Sequence, residues 1–235
     1  MANAKRKLAA ILSADVVGYS RLMHDDEAAT VTTLQEYRAA IGRVIDQHLG
    51  RIVNAPGDNI LAEFPSAVEA VQAAVEIQRN IEGRNAELPE DRRMNFRVGV
   101  NLGDVLEEQD GTIYGDGVNI AARMEALADD GGICIASPVY DAVEGKIEFG
   151  FDFLGEQQVK NIAKPINVYR VRADSDAKVT RPEARPQART GSRTALIAVA
   201  AVVVLMIAGV AVWQVTQPTP PGTDTTVASS DPVVV

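Results

Sequence analysis

The sequence has few of the residues that build several common kinds of site. Cys134 is its only cysteine, and His24 and His48 are its two histidines in 235 residues. A lone cysteine excludes an intrachain disulfide and a cysteine-rich zinc site, so we expect Cys134, within the run GGICIA, to be a small core residue. The two histidines are far apart in the sequence, which favours surface positions over metal ligation.

Basic residues are also scarce. The chain carries 23 Lys and Arg against 32 Asp and Glu, which gives a formal net charge of −9. A nucleic-acid-binding surface needs excess positive charge to neutralise phosphates, so we expect no nucleic-acid partner. The sequence also lacks a Walker-type glycine-rich phosphate loop, the loops of a protein kinase and the His–Asp metal clusters of a phosphodiesterase.

Composition divides the chain into four stretches. Residues 1–172 have the mixed composition of a globular domain, and 173–194 form a polar linker with Arg and Pro that should be extended and flexible. Residues 195–213 are continuously apolar, and 214–235 are rich in Thr, Pro, Val and Asp, which predicts a disordered tail. We therefore predict one folded domain followed by three appendages.

The apolar stretch 195–213 predicts a transmembrane helix. It contains no charged residue and is long enough to cross a hydrocarbon layer at the rise of an α-helix. No Lys or Arg follows it, and four arginines precede it: Arg181, Arg185, Arg189 and Arg193. By the positive-inside rule we predict a single-pass protein of the cell inner membrane, with its large N-terminal domain in the cytoplasm and its tail outside. The alternative is a buried helix of a soluble protein.

Hydrophobic periodicity in residues 1–172 predicts a mixture of helices and strands. Helices are expected at 28–49, 67–81, 117–128 and 138–143. Strands are expected within 8–20 and at 51–53, 59–64, 96–102, 105–107 and 133–136, followed by an antiparallel pair formed by 149–154 and 168–171. This order indicates an α+β sandwich in which helices cover a largely antiparallel sheet.

Two aspartates are candidate metal ligands. Asp15 interrupts an apolar strand, where an ionised side chain is costly unless a cation or donor meets it. Asp58 ends the turn Ala55-Pro56-Gly57-Asp58 between two strands, and the two carboxylates could meet across neighbouring strands to bind two hard cations. The alternatives are an exposed Asp at a strand end for Asp15 and an ordinary turn residue for Asp58.

Asn119 and Arg123 lie in the run GDGVNIAARM, four residues apart on a predicted helix. That spacing places both side chains on one helical face, one turn apart. An amide and a guanidinium flanked by alanines would allow a ligand to approach closely. The alternative is an ordinary solvent-exposed helix face.

Four segments together resemble a known family. ILSADVVGYSRLM, NAPGDNILAEF and GTIYGDGVNIAARM, in this order, resemble the class III nucleotidyl cyclase catalytic domain, and VKNIAKPINVYRV resembles its closing segment. The resemblance covers about residues 6–172. It implies a ferredoxin-like core and an active site at the interface of a head-to-tail homodimer.

The resemblance also implies roles for individual residues. Asp15 and Asp58, with the backbone carbonyl of Val16, match the ligands of two Mg²⁺ or Mn²⁺ ions. Asn119 matches the asparagine that orients the ribose, and Arg123 matches the transition-state arginine. Lys160 matches the lysine that holds the triphosphate, with Lys164 as the alternative. The resemblance implies that Asn119, Arg123 and Lys160 come from one subunit and the two aspartates from the other.

The positions that contact the base depart from the family pattern. Adenylyl members usually have a lysine where this chain has Asn54, and Asp or Thr where it has Thr112, whereas guanylyl members typically have Glu and Cys. Thr112 could accept a hydrogen bond from the adenine amino group, and Asn54 could donate one to a ring nitrogen. We therefore predict an adenylate cyclase that converts ATP to cyclic AMP and pyrophosphate. The alternatives are a guanylate cyclase, a cyclase of relaxed specificity, or a catalytically weak nucleotide-binding or scaffolding module.

Overall fold

The structure is a computed structural model that describes residues 4–158 and 165–173. The predicted membrane span at 195–213 and the tail lie outside the described residues, and so do Lys160 and Lys164. Within the described ranges, no helix is both long enough and apolar enough to cross a membrane. All the described residues belong to the unit Met1–Glu183.

In the described ranges, eight strands form one sheet, with five α-helices packed around it. The strands are β1 Lys5–Val16, β2 Arg51–Asn54, β3 Ile60–Phe64, β4 Phe96–Glu107, β5 Ile113–Tyr114, β6 Ile133–Ala136, β7 Gly150–Gln157 and β8 Ile166–Arg172. The helices are α1 Tyr19–Asp25, α2 Glu27–Gln47, α3 Ala67–Ala86, α4 Asp116–Leu127 and α5 Ser137–Val143. A short 3₁₀ turn, Glu90–Arg92, precedes β4.

The sheet has the order β2-β3-β1-β4-β6-β8-β7, and β5 pairs with β4. Among the described strands only β4 and β6 run parallel, which confirms the expected largely antiparallel sheet. The first four strands, in the order β4-β1-β3-β2 with α2 and α3 as their crossovers, form the expected ferredoxin-like core.

The side chains of β1 point alternately to two faces of the sheet, and both faces are buried, as the near-continuous apolar sequence of this strand requires. Ala10, Leu12 and Ala14 join the core beneath α2 and α3, whereas Ala9 and Ile11 join a smaller core beneath α4. Because side chains alternate along a strand, Asp15 projects on the same face as Ile11, the one that α4 covers. The alternation therefore places this carboxylate beneath a helix, at the end of a strand that has neighbours on both sides.

Helix α4 lies unusually close to β4 at Gly99. A Cβ atom built on Gly99 would lie 2.0 Å from the backbone nitrogen of Glu125 and 2.2 Å from the carbonyl oxygen of Ala121. Only a residue without a side chain fits between the strand and the helix backbone. Gly99 therefore sets how closely α4 approaches the sheet.

Several local expectations differ from the structure. Two strands were expected on either side of Gly103, but β4 continues through this residue. The start of α4 approaches the strand here, and the Cα of Gly117 lies 3.3 Å from the position that a Cβ of residue 103 would take. Helix α1 was not expected, since it is short and only Leu22 in it is buried. His48 was expected at the surface, but it is half-buried between Glu69 and Glu76 of α3, 2.9 and 3.0 Å away. Cys134 is buried, as expected.

Replacing Gly99 by alanine tests the close approach of α4. We expect Gly99→Ala to destabilise the protein by about 2 kcal/mol or more, because the new methyl group would overlap helix backbone rather than a flexible side chain. The matched control is Gly83→Ala in α3, where the new Cβ would meet open space. This substitution should stabilise the protein by about 0.5–1 kcal/mol, because alanine is a better helix former than glycine. Urea unfolding followed by circular dichroism measures both changes, and equal effects of the two substitutions would contradict the packing described here.

Candidate active site

The two predicted metal ligands meet at one end of β1. Asp15 is the penultimate residue of β1, and Asp58 lies in the turn that leads into β3. Because Ala14 of β1 pairs with Ile60 of β3, this turn lies beside the end of β1. The carboxyl groups are close enough to hydrogen-bond, and burial together with the charge of Asp58 raises the pKa of Asp15.

Arg97 and Glu125 complete this cluster, and sequence reasoning missed both. Arg97 lies opposite Asp15 on β4, and Nη2 of Arg97 is 3.4 Å from Oδ2 of Asp15 and 3.4 Å from Oε1 of Glu125. Glu125 projects from α4 into the protein and is only 7% exposed. Burial, with the charges of Asp15 and Asp58 adding to it and Arg97 opposing it, raises the pKa of Glu125 to about 7. The cluster thus has three carboxyl groups and one guanidinium.

The donor set of Asp15 and Asp58 fits a hard divalent cation. Both ligands are carboxylate oxygens, which Mg²⁺ and Mn²⁺ prefer, and a cation between them would relieve the repulsion that raises the pKa of Asp15. The described part of the chain holds no group of three or more His, Cys, Asp or Glu side chains arranged for a metal ion. A cation here would therefore need further oxygens, from the backbone at Val16, from water or from a ligand.

Arg38 of α2 holds the turn that carries Asp58. Its Nη2 donates hydrogen bonds to the carbonyl oxygens of Ala55 at 2.8 Å and Asn59 at 3.3 Å, and to that of Gly57 between them. Its Nε atom is buried without a hydrogen-bond partner among the described residues. One guanidinium thus fixes three carbonyls around Asp58. In the sequence, the one available signal was that Arg38 lies on a predicted helix, and this does not identify its partners.

Asn119 and Arg123 lie on the opposite side of α4 from Glu125. Both side chains are exposed, and neither makes a hydrogen bond or ion pair with any residue that the structure describes. They share one face, as the spacing of four predicted, but no described contact joins them to Asp15 or Asp58. Two polar side chains without partners on an exposed face are available to a ligand or to a second subunit.

Asn54 and Thr112 come from different elements. Asn54 ends β2, and its Oδ1 accepts a hydrogen bond from the backbone N–H of Ala55 at 2.8 Å, which leaves its amide nitrogen free to donate. Thr112 lies just before β5, and its backbone N–H donates to Oδ1 of Asp110 at 2.9 Å. Hydrogen bonding by Thr112 lowers the pKa of Asp110, and the hydroxyl group of Thr112 can itself both donate and accept.

Known proteins are similar to the N-terminal part of this chain, which contains the residues described above. A sequence model described as the adenylate and guanylate cyclase catalytic domain matches residues 2–173. The putative adenylate cyclase 3 of Rhizobium meliloti (strain 1021) is 46% identical over 166 residues, covering 70% of this chain and 28% of that protein. The adenylate cyclase of Anabaena cylindrica is 28% identical over 185 residues, covering 69% of this chain and 36% of that protein.

Among solved structures, the crystal structure of an adenylate/guanylate cyclase/hydrolase from Silicibacter pomeroyi is similar, with a TM-score of 0.68 and 41% identity. The similarity covers 73% of this chain and 100% of that one. By contrast, this chain matches only 28% and 36% of the lengths of the two sequence relatives.

The contacts of Arg38 are testable without reference to any activity. We expect Arg38→Gln to accelerate amide hydrogen exchange about tenfold in the turn at 54–59, because the turn loses three hydrogen bonds to a charged donor. Hydrogen exchange read by mass spectrometry measures this change. Arg43→Gln, an exposed position on the same helix, is the matched control and should leave the exchange unchanged. Unaltered exchange in Arg38→Gln would show that the guanidinium does not hold the turn.

Proposed function

This chain belongs to the adenylate and guanylate cyclase catalytic domain family, and on that premise we propose that it is an adenylate cyclase, which converts ATP to 3′,5′-cyclic AMP and pyrophosphate for intracellular signalling. The observation that carries the proposal is the meeting of Asp15 and Asp58 at the end of β1. The adenylate cyclase names of the two sequence relatives support ATP as the substrate.

In the proposed reaction the ribose 3′-oxygen attacks the α-phosphate and pyrophosphate leaves. Asp15, Asp58 and the backbone carbonyl of Val16 would hold two Mg²⁺ or Mn²⁺ ions, which when bound would supply positive charge at the attacking and leaving oxygens. Arg97, which pairs with Asp15 at 3.4 Å in this structure, is placed to offset negative charge on a phosphate beside the aspartates.

We propose that the active site is shared by two copies of this chain. Asn119 would orient the ribose, Arg123 would offset the charge that grows on the α-phosphate, and Lys160 or Lys164 would hold the triphosphate, all from the partner of the subunit that supplies the aspartates. Both side chains are exposed and have no partner among the described residues, which supports this division. A monomer would therefore be inactive.

Recognition of adenine rests on Thr112 and Asn54. The hydroxyl oxygen of Thr112 would accept a hydrogen bond from the amino group of adenine. Guanine presents a carbonyl oxygen at the equivalent position, which cannot donate. Asn54 would donate its free amide N–H to a ring nitrogen.

Product formation tests this proposal. With Mn²⁺, the full-length chain is expected to form cyclic AMP from ATP, and Asp15→Asn or Asp58→Asn is expected to reduce turnover about a hundredfold or more because the cation site loses a charged ligand. Chromatography of the products from ATP and from GTP measures both turnover and specificity. Cyclic GMP as the main product would contradict the choice of base, and full turnover by both variants would contradict the cyclase mechanism.

Mixing two inactive variants provides the control for the shared site. If each site takes its aspartates from one subunit and Arg123 from the other, Asp15→Asn mixed with Arg123→Ala should regain roughly a quarter of wild-type activity through heterodimers with one intact site. Either variant alone should remain inactive. Failure of the mixture to recover activity, at concentrations where dimers form, would place the whole site within one subunit.

We also propose that the chain is anchored in the cell inner membrane by residues 195–213, with the catalytic domain in the cytoplasm. The absence of charge in this stretch and the arginines before it support the proposal. An extended linker on a membrane-bound chain would raise the effective concentration of a second catalytic domain and favour the dimer.

Fractionation of cells that express the full-length chain tests the anchor. We expect the protein in the membrane fraction after a carbonate wash, and we expect Val203→Arg combined with Leu205→Arg to release it, because each arginine costs about 3 kcal/mol at the centre of a span. The matched control, Val233→Arg in the tail, should stay in the membrane. Wild-type protein in the soluble fraction would rule out the anchor.

A further inference from the structure

Arg51 of β2 makes contacts with three other parts of the sheet. Its Nε lies 2.7 Å from Oε1 of Glu63 on β3, and its Nη2 lies 2.9 Å from Oε1 of Glu107 on β4. The same Nη2 donates to the carbonyl oxygen of Gly111 at 2.8 Å, in the loop that connects β4 and β5. A single side chain thus joins β2 to β3, to the end of β4 and to the loop that precedes β5.

Lys7 fixes the two carboxylates that hold Arg51. Its Nζ lies 2.8 Å from Oε1 of Glu63 and 2.8 Å from Oε1 of Glu107, so each acid bridges both cations. The Glu63 side chain is only 12% exposed, which strengthens its interactions relative to those at an open surface. Lys7 thus shares both carboxylates with Arg51, whereas the hydrogen bond to the carbonyl oxygen of Gly111 comes from Arg51.

The loop at 108–112 has few other connections. Gly111 donates to the carbonyl of Glu108 at 3.0 Å, and Glu108 donates to the carbonyl of Thr112 at 2.9 Å, both within the loop itself. Among the described residues, Arg51 provides the one side-chain hydrogen bond from another strand to this loop. Gly111 has a φ of 85°, and an added Cβ would lie 3.0 Å from Nη1 of Arg51, so the glycine leaves room for the guanidinium.

Both of the proposed base-reading residues depend on these contacts. Thr112 directly follows Gly111, whose carbonyl Arg51 binds. Asn54 is three residues beyond Arg51 on the same strand, past an irregularity in the pairing of β2 with β3 that begins after Ile52. Arg51 is in register with Glu63 and Ile52 with Ala62, so the regular pairing of β2 ends one residue beyond Arg51.

We propose that Arg51 is a positioning residue for base recognition: it ties the strand that carries Asn54 to the loop that carries Thr112 and so sets the spacing of the two groups that read the purine. This inference rests on the proposed function, since it assumes that the two residues contact the base. It adds a substrate-specificity role for a residue that does not touch the nucleotide.

Arg51→Lys tests the inference, because lysine keeps the charge but lacks the planar fork that reaches two carboxylates and a carbonyl together. We expect the ratio of kcat/KM for ATP to that for GTP to fall about tenfold, mainly through a higher KM for the preferred nucleotide with little change in kcat. Full-length wild-type and variant chains are compared with both nucleotides in Mn²⁺, and their melting temperatures are measured alongside.

Lys7→Gln is the matched control. It removes two ion pairs from the same network but leaves the bond between Arg51 and Gly111, so the nucleotide ratio should stay within about twofold of wild type. If Arg51→Lys keeps the wild-type ratio, or if Lys7→Gln lowers the ratio equally, the positioning role is wrong and Arg51 serves only stability. If the wild-type chain prefers GTP, the proposed choice of base is wrong, but Arg51→Lys should still reduce the preference for the better nucleotide. A wild-type chain that turns over neither nucleotide would overturn the proposed function and this inference with it.

Discussion

The site depends on an unfavourable contact, the close approach of Asp15 and Asp58. Burial and the charge of Asp58 raise the pKa of Asp15, and burial together with the charges of both aspartates raises the pKa of Glu125. The fold holds the aspartates together because Asp15 is on a strand that has neighbours on both sides and the turn of Asp58 is tied down by Arg38. Because the surrounding structure already holds the two carboxylates close together, a cation that binds between them does not have to supply the free energy of bringing them together.

Helix α4 connects the two halves of the proposed catalytic machinery. Its inner face, with Ala121 and Glu125, packs on Gly99 and faces the aspartate cluster, while Asn119 and Arg123 are on its outer face. The position of one helix therefore fixes both the charge beside the aspartates and the polar groups offered to a partner. In a head-to-tail dimer, a small displacement of α4 would disturb one site from within and the other from across the interface. The glycine is needed at this contact because a Cβ at position 99 would overlap the backbone of α4.

Sequence periodicity predicted most of the fold because the strands and helices bury regular apolar patterns. The hairpin between β2 and β3 made the meeting of Asp15 and Asp58 foreseeable, since a turn beside an adjacent strand brings its residues to that strand's end. The roles of Arg38, Arg51 and Arg97 were not foreseeable. Each is a long side chain whose partners lie on other elements, up to 82 residues away for Arg97 and Asp15, and no local pattern encodes such contacts. Glu125 was hidden for the same reason, since in ARMEAL it reads as a helix surface residue.

The asparagine at position 54 changes what base recognition requires of the fold. A lysine there would attract an acceptor through its charge, and that attraction falls only slowly with distance. A neutral amide and a hydroxyl group act through hydrogen bonds, which weaken steeply once the distance or angle departs from a narrow range. If Asn54 and Thr112 read the base as proposed, selectivity would require their separation to be held within the narrow range of a hydrogen bond. We propose that Arg51, through its contacts with Glu63, Glu107 and Gly111, links the strand of Asn54 to the loop of Thr112, and we regard this link as the counterpart of the missing charge.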